Sequence, residues 1–440
     1  MHDRGGATIN AALDVRWSRA RRAGAGATLA LLAACSDGSG SGSSPAPAGD
    51  NSTPSAAGGA ASTPNGAPAS DPGAMMPAGS APASNEGNPN LGGIQNPAAS
   101  SGSNGMPAAM APQTPGLKFV GRVEVAGADD ASFAWSGSGV IANFSGSSVG
   151  VRLAGGQQYT VLIDGMLQPK LTSTGGLDAL ASGLAAGPHT VEIYRRTEAN
   201  QGESRFQGFD FAGGQLLAPP VPAERRIEIV GDSITAGYGD EGADMNCSFS
   251  PDTENHYLTY GALSARALGA ELSTVAWSGK GVVCNYGDDA TSCSDPLPPY
   301  YDRTLPTRSD SRWDFSRWQP QAVVINLGTN DFSTAMDPTQ DQFESALDTL
   351  IEHMRTEYPD ALLLATVGPL LTGADLATAR TYIANVVKKR NDAGDAKVQS
   401  FDLAPTNAAD GYGCDWHPSL KTHQVMADAL TAKLRAELGW

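Results

Sequence analysis

The sequence predicts an α/β protein: an antiparallel β-sandwich over about residues 116–218, followed over 219–440 by three αβα layers built on a parallel sheet. Three observations predict it. Short runs with period-two alternation crowd the first region, and apolar runs alternate with helical stretches in the second. Between them, Leu216 to Glu224 carries Pro219, Pro220 and Pro222 and reads as a stiff connector.

Folding begins late in the chain. From Ser36 to about Pro115 the residues are almost all Ser, Gly, Ala, Pro and Asn, with no aromatic side chain, so the stretch cannot bury enough apolar surface to offset its ordering entropy. It is expected to be a disordered tether of ~80 residues with a root-mean-square reach of roughly 50 Å. Ahead of it stand Arg16, Arg19, Arg21 and Arg22, an apolar run from Ala23 to Ala34, and the segment Leu32-Ala33-Ala34-Cys35. This resembles a bacterial lipoprotein signal, and the apolar run is too short to span a membrane as a stable helix. The resemblance implies lipid attachment at Cys35 and, because Ser36 rather than Asp follows, a place at the outer membrane or cell surface. An ordinary secretory signal with an incidental cysteine is the alternative. Acyl chains contribute about 0.8 kcal/mol per buried CH₂, so the membrane is reached only through that anchor.

A formal net charge of -17 argues against nucleic acid or anionic lipid as a partner and favours a neutral substrate. Cys35 aside, Cys247, Cys284, Cys293 and Cys414 are an even set in a compartment expected to be oxidising, so two disulfides are predicted. Of the three connectivities, Cys284 with Cys293 is favoured because the two bracket a short loop of polar turn residues, which leaves Cys247 for Cys414. A zinc site is the rival reading, but no Cys-x-x-Cys spacing exists. Neither a metal nor another cofactor is expected.

In the sandwich region the alternating segments include Lys118–Val125, Val149–Leu153 and Tyr159–Ile163, and Asp164-Gly165 after the third is a hairpin signal. In the second region, apolar runs at Ile227–Val230, Leu272–Ala276, Ala322–Leu327, Leu362–Val367 and Val398–Leu403 read as buried parallel strands. Helices are predicted at Phe343–Tyr358, Leu376–Arg390 and Val425–Leu438, on both faces of that sheet. No period of 20 to 50 residues repeats, which excludes a solenoid.

Four segments carry chemistry: Gly231-Asp232-Ser233, Trp277-Ser278-Gly279-Lys280-Gly281, Gly328-Thr329-Asn330-Asp331 and Asp415-Trp416-His417-Pro418. Three directly follow a predicted strand, and the carboxyl ends of parallel strands converge on one rim, where distant residues meet. Each supplies something that ester hydrolysis requires. A serine hydroxyl needs a base and an oxyanion needs donors. Ser233 is the candidate nucleophile and His417 the candidate base, since imidazole exchanges protons readily near neutrality. At its ordinary pKa, such a base predicts loss of rate below roughly pH 6.5. Asp415 is the candidate that orients the ring. The N–H groups of Ser233 and Gly279 and the side-chain amide of Asn330 are the candidate oxyanion donors, with Gly281 the alternative to Gly279. Glycine admits close backbone approach, and an amide donates without titrating.

With these residues the chain resembles the SGNH or GDSL-type hydrolases, whose blocks centre on Ser, Gly, Asn and His. The order of sandwich then hydrolase domain, together with Gly-Asp-Ser-Ile-Thr-Ala-Gly-Tyr-Gly from Gly231 and Cys414-Asp415-Trp416-His417-Pro418, is similar to carbohydrate esterase family 2 over about residues 117–440. That resemblance implies a jelly-roll-like sandwich, an SGNH hydrolase domain, and removal of acetyl groups from plant polysaccharides such as xylan and glucomannan. Many superfamily members place an acid three residues before the histidine. Here Cys414 holds that place and Asp415, two before, is the nearest carboxylate, so a backbone carbonyl is the alternative partner.

Trp416, beside the candidate base, is a candidate for lining the substrate site, because an aromatic face stacks on a sugar ring. Trp277, Trp313 and Trp318 read as core. His256, His353 and His423 are expected to be surface or packing residues, and Asp232 and Asp331 to bond backbone within their turns. The reading is thus a serine acetylesterase acting on a polysaccharide or oligosaccharide. A lipase-like or lysophospholipase esterase and a non-catalytic carbohydrate-binding lipoprotein are the alternatives.

Overall fold

The computed structural model describes residues 116–155, 157–288, 292–333 and 337–440. The lipoprotein-like signal with Cys35 and the Ser/Gly/Ala/Pro tether lie outside the described residues.

The first region folds as β1 Lys118–Val120, β2 Glu124–Gly127, β3 Asp130–Phe133, β4 Gly139–Ser145, β5 Ser148–Ala154, β6 Gln158–Ile163, β7 Met166–Leu167, β8 Leu171–Thr172, β9 Leu177–Ser182, β10 Pro188–Arg195, β11 Ser204–Asp210 and β12 Gln215–Leu216. Two sheets result, β1-β4-β10-β6-β7 with β12 on β4 and β8 on β6, and β2-β3-β11-β5-β9. Their inward positions, among them Phe133, Phe144, Val151, Tyr159, Val191 and Phe206, form one buried cluster, as the alternation requires of a sandwich. Asp164 and Gly165 take φ 52° and 75°, and Ile163 pairs with Met166 across the tight turn they make. The segment predicted as one run, Lys118–Val125, is instead two strands in different sheets. Gly121, at φ 72° with Ser138 Oγ only 2.6 Å from where a Cβ would stand, breaks it.

The second region supplies β13 Arg225–Gly231, β14 Ala270–Ala276, β15 Ala322–Asn326, β16 Leu362–Thr366 and β17 Val398–Ser400, all parallel, in the order β14-β13-β15-β16-β17. Its helices are α1 Ser233–Ala236, α2 Tyr260–Leu268, α3 Gln340–Glu357, α4 Gly373–Asp392 and α5 Leu420–Leu438. Alternate strand residues feed two cores. Val230, Val323, Ile325, Leu363 and Ala365 pack with α3 and α4, while Ile227, Ile229, Val324, Leu362 and Leu364 pack with α2 and α5. Helices α3 and α5 start earlier than their apolar stripes because polar caps extend them: Thr339 and Gln342 form a capping box for α3, and Ser419 caps α5. Strand β17 stops at Ser400, short of the predicted Leu403, whose side chain still packs in the second core.

Glu228 interrupts the apolar pattern of β13 and explains how the two regions join. Its carboxylate is fully buried, 3.1 Å from the equally buried Arg122 of the sandwich, and accepts the Tyr301 hydroxyl at 2.6 Å and the Tyr358 hydroxyl at 3.3 Å. Arg122 also donates to the Tyr301 carbonyl, and its guanidinium lies over the rings of Tyr301 and Phe315. Ala134, Trp135 and Ala199 of the sandwich belong to the core beneath α3 and α4. The sandwich is therefore packed into the interior of the parallel-sheet region.

Candidate active site

Strand register sets the site. Gly231 is level with Ala276 on one side and Asn326 on the other, so the loops after β13, β14 and β15 leave the sheet side by side. The Trp277 N–H donates to Gly231 O at 3.2 Å and so ties the first two loops. Gly231 permits this bend: a Cβ there would lie 2.1 Å from Thr235 Oγ1. Asp232 caps α1 by accepting the Ile234 N–H at 3.0 Å, which leaves Ser233 on the first turn facing the rim. From 184 residues downstream, His417 brings Nε2 to within 2.9 Å of Ser233 Oγ.

The His417 ring is fixed from its other side by main chain. Nδ1 lies 3.2 Å from the carbonyl oxygen of Asp415. Asp415 and Trp416 both take left-handed conformations, φ 50° and 66°, which is costly for non-glycine residues and turns that carbonyl inward. The Cys247–Cys414 disulfide, the Asp415 N–H to Cys247 O bond at 3.0 Å and the Cys414 N–H to Gly239 O bond at 2.9 Å hold the strained segment. The expectation that the Asp415 carboxylate orients the ring is corrected by this arrangement. That carboxylate accepts the Tyr238 hydroxyl at 3.0 Å and the Phe249 N–H at 2.9 Å instead, because the left-handed backbone points the side chain away. Tyr238 in turn packs on the imidazole, ring centroids 4.2 Å apart. Burial pushes the His417 imidazole down to about 4, with the Asp415 main-chain contact opposing.

The donors expected for an oxyanion gather at the same rim. Gly279 stands at φ 80° with only Tyr286 Cβ within 4.0 Å of the Cβ it lacks, so its backbone is open to approach. The alternative, Gly281, has its N–H turned to Asn285 Oδ1 at 3.3 Å. Asn330 is buried and its Nδ2 donates to Lys280 O at 2.9 Å, which joins the second and third loops. Asp331 does more than bond within its own turn. Its carboxylate accepts the N–H groups of Val282, Val283 and Cys284 at 2.9, 2.7 and 3.0 Å and so shapes the second loop. The Cys284–Cys293 disulfide closes that loop.

Residues 119–220 match the family Carbohydrate esterase 2 N-terminal, and residues 227–430 match GDSL-like Lipase/Acylhydrolase. An acetylxylan esterase / glucomannan deacetylase of Cellvibrio japonicus is 30% identical over 261 residues, which are 58% of this chain and 69% of that one. The chain belongs to carbohydrate esterase family 2. A cellulase/esterase, CelE, of Acetivibrio thermocellus is 45% identical to it over 334 residues; this covers 74% of the chain but only 40% of that relative's own length. A solved family two carbohydrate esterase from Clostridium thermocellum, in complex with cellohexaose, shares 43% identity at a TM-score of 0.71, covering 74% of this chain and all of that one. An acetyl xylan esterase, Est2A, from Butyrivibrio proteoclasticus shares 26% identity at a TM-score of 0.66, covering 74% and 96%.

Around the site of this family 2 esterase, Trp416 is half-buried and packs edge-on against Tyr412, 5.4 Å between centroids. Trp277 meets Trp135 of the sandwich edge-on at 6.4 Å and Tyr300 at 5.1 Å. Trp313 lies over Arg122, and Trp318 donates to Glu271 at 3.2 Å. Three other histidines pack: His256 bonds Thr274 Oγ1 at 2.9 Å, His423 accepts the Tyr260 N–H at 3.2 Å, and His353 pairs with Asp302 at 2.6 Å. Sequence reasoning missed Tyr238 and Phe249 around the imidazole and Glu198 of the sandwich, whose Oε2 accepts the Ser278 N–H at 2.6 Å. Tyr238 lies within the quoted Gly231–Gly239 motif and could have been singled out; nothing local marks Glu198.

Proposed function

We propose that the chain is a serine esterase that removes O-acetyl groups from a neutral cell-wall polysaccharide of the xylan or glucomannan type. The observation that carries the reading is Ser233 Oγ 2.9 Å from His417 Nε2 on the rim where Gly279 and Asn330 also stand. Ser233 Oγ attacks the acetyl carbonyl carbon while His417 Nε2 takes its proton. The Ser233 and Gly279 N–H groups and the Asn330 amide donate to the oxyanion. Collapse breaks the bond to the sugar oxygen, which leaves with the proton from Nε2. Water, deprotonated by the same nitrogen, then attacks the acetyl-serine, releases acetate and restores Ser233. The carbonyl of Asp415 holds the imidazole in the required tautomer throughout, and the route calls for no metal or other cofactor.

The substrate class draws support from relatives named acetylxylan esterase and glucomannan deacetylase, from the relative solved with cellohexaose, and from the charge of -17. Trp416 offers a sugar ring its aromatic edge and face. Cys35 is proposed as the site of lipid attachment that holds the enzyme at the cell surface or outer membrane, and Cys35→Ala should release it in soluble form from cells that retain the wild type.

Ser233→Ala is expected to abolish hydrolysis of 4-nitrophenyl acetate and acetate release from acetylated xylan with the unfolding midpoint unchanged. Wild-type turnover in that variant would overturn the mechanism. Across acetylated xylan, glucomannan, pectin and peptidoglycan, the first two should release acetate fastest; release from peptidoglycan alone would overturn the substrate class. A preference for octanoyl over acetyl esters would favour a lipase-like esterase.

A further inference from the structure

We propose that Glu198, a residue of the β-sandwich, is a positioning residue for the oxyanion donor Gly279. The inference rests on the reading of Ser233 as nucleophile and Gly279 as donor given above.

Gly279 sits third in a turn that runs from Trp277 to Lys280, closed by the Lys280 N–H to Trp277 O bond at 3.3 Å. Its φ of 80° is the value a type II turn requires at that place. Glycine there allows substrate to approach, but it also leaves the peptide between Ser278 and Gly279 free to rotate unless something outside the turn restrains it. Two side chains from elsewhere fix the peptide groups on either side of it. Asn330 Nδ2 holds the Lys280 carbonyl at 2.9 Å on one side of Gly279. Glu198 Oε2 holds the Ser278 N–H at 2.6 Å on the other, a short bond of the kind a carboxylate makes to a backbone donor.

Glu198 is itself rigidly placed. Arg195, buried behind it, donates to the carbonyls of Thr197 and Glu198 at 2.8 and 2.7 Å and to Ser204 Oγ at 2.9 Å. The next residue, Ala199, packs in the core of the parallel-sheet region, and Trp135 of the sandwich abuts Trp277 at the head of the turn. A carboxyl group in this place costs desolvation: Glu198 is fully buried and its Oε1 has no hydrogen-bond partner. An apolar side chain would fill the space at lower cost. What only an acceptor can do there is fix the Ser278 N–H, and through it the direction of the neighbouring Gly279 N–H. The sandwich thereby takes part in the reaction through Glu198.

Three substitutions in the full chain test this, with kcat and KM for 4-nitrophenyl acetate measured beside thermal unfolding. Glu198→Gln keeps an acceptor at the same reach and should hold kcat within about threefold. Glu198→Leu and Glu198→Asp withdraw it, one by chemistry and one by length, and should lower kcat by roughly 10- to 100-fold at near-constant KM, the scale of loss when a catalytic donor is misplaced. A folded Leu or Asp variant with wild-type kcat would overturn the proposal. So would a folded Gln variant that loses about tenfold or more in kcat, an outcome that counts even if Leu and Asp fail to fold. Ser233→Ala, run in parallel, separates the two readings: an active Ser233→Ala protein removes the mechanism itself, whereas an inactive one beside a fully active Glu198→Leu removes only the role of Glu198.

Discussion

The main-chain oxygen of Asp415 lies 3.2 Å from Nδ1 of His417, and the carboxylate of the same residue is engaged by Tyr238 and Phe249. A neutral carbonyl fixes the tautomer and the ring plane as a carboxylate would, but it stabilises the imidazolium less. Desolvation depresses the basicity of His417, and the carbonyl contact opposes that only in part.

Asp415→Asn should therefore lower kcat by less than about tenfold, far short of the ~10⁴-fold lost when a carboxylate bonded to a catalytic imidazole is neutralised. Steady-state kinetics on 4-nitrophenyl acetate measure the difference, and a drop near 10⁴-fold would restore the carboxylate to the mechanism.

The proposed base works only as neutral imidazole, and burial has moved His417 from its ordinary value down to about 4. Protonation then sets in at lower pH than for a free histidine, so kcat/KM should stay level through pH 6 and fall with an inflection near 4. An inflection near 6.5 that persists in Asp232→Asn would contradict that lowered value. Asp232, pushed up to about 7 by burial with the Asp331 charge adding to it, titrates in the same range. Asp232→Asn should remove any inflection near 7 and leave the one near 4.

Asn330→Ala should cost roughly 10²–10³ in kcat with KM little changed, the usual effect of losing one oxyanion donor. A loss confined to KM would assign the residue to substrate binding.

Arg122→Met leaves Glu228 charged and unpaired inside the protein and should destabilise it by about 3–5 kcal/mol in urea titration. Arg122→Met combined with Glu228→Gln should recover most of that, since the amide oxygen still accepts the Tyr301 hydroxyl. If the single substitution is silent, the buried pair does not join the sandwich to β13.

The rim was legible because the runs ending at Val230 and Leu327 stop shortly before residue types with their own chemistry, Ser233 and Asn330, and because parallel strands bring such stops together. An even set of four cysteines made two disulfides legible but left three connectivities open, and the one favoured by loop length, Cys284 with Cys293 and Cys247 with Cys414, is the one the structure contains. The break at Gly121 was not, because Lys118–Val125 alternates smoothly and only the close approach of Ser138 separates its halves.

Taken alone, the chain of residues determined two architectures, the rim where they present their loops, and the serine, histidine, glycine and asparagine that stand there, because periodicity and strand termini are local properties. Tertiary structure decided which atom of Asp415 faces His417, since that depends on two left-handed residues held by a disulfide and by hydrogen bonds to distant loops. It also decided that Glu198 reaches Ser278 across 80 residues and that Arg122 neutralises Glu228 across 106. Contacts of that kind arise from how two separately patterned regions pack, and no window of sequence contains both partners.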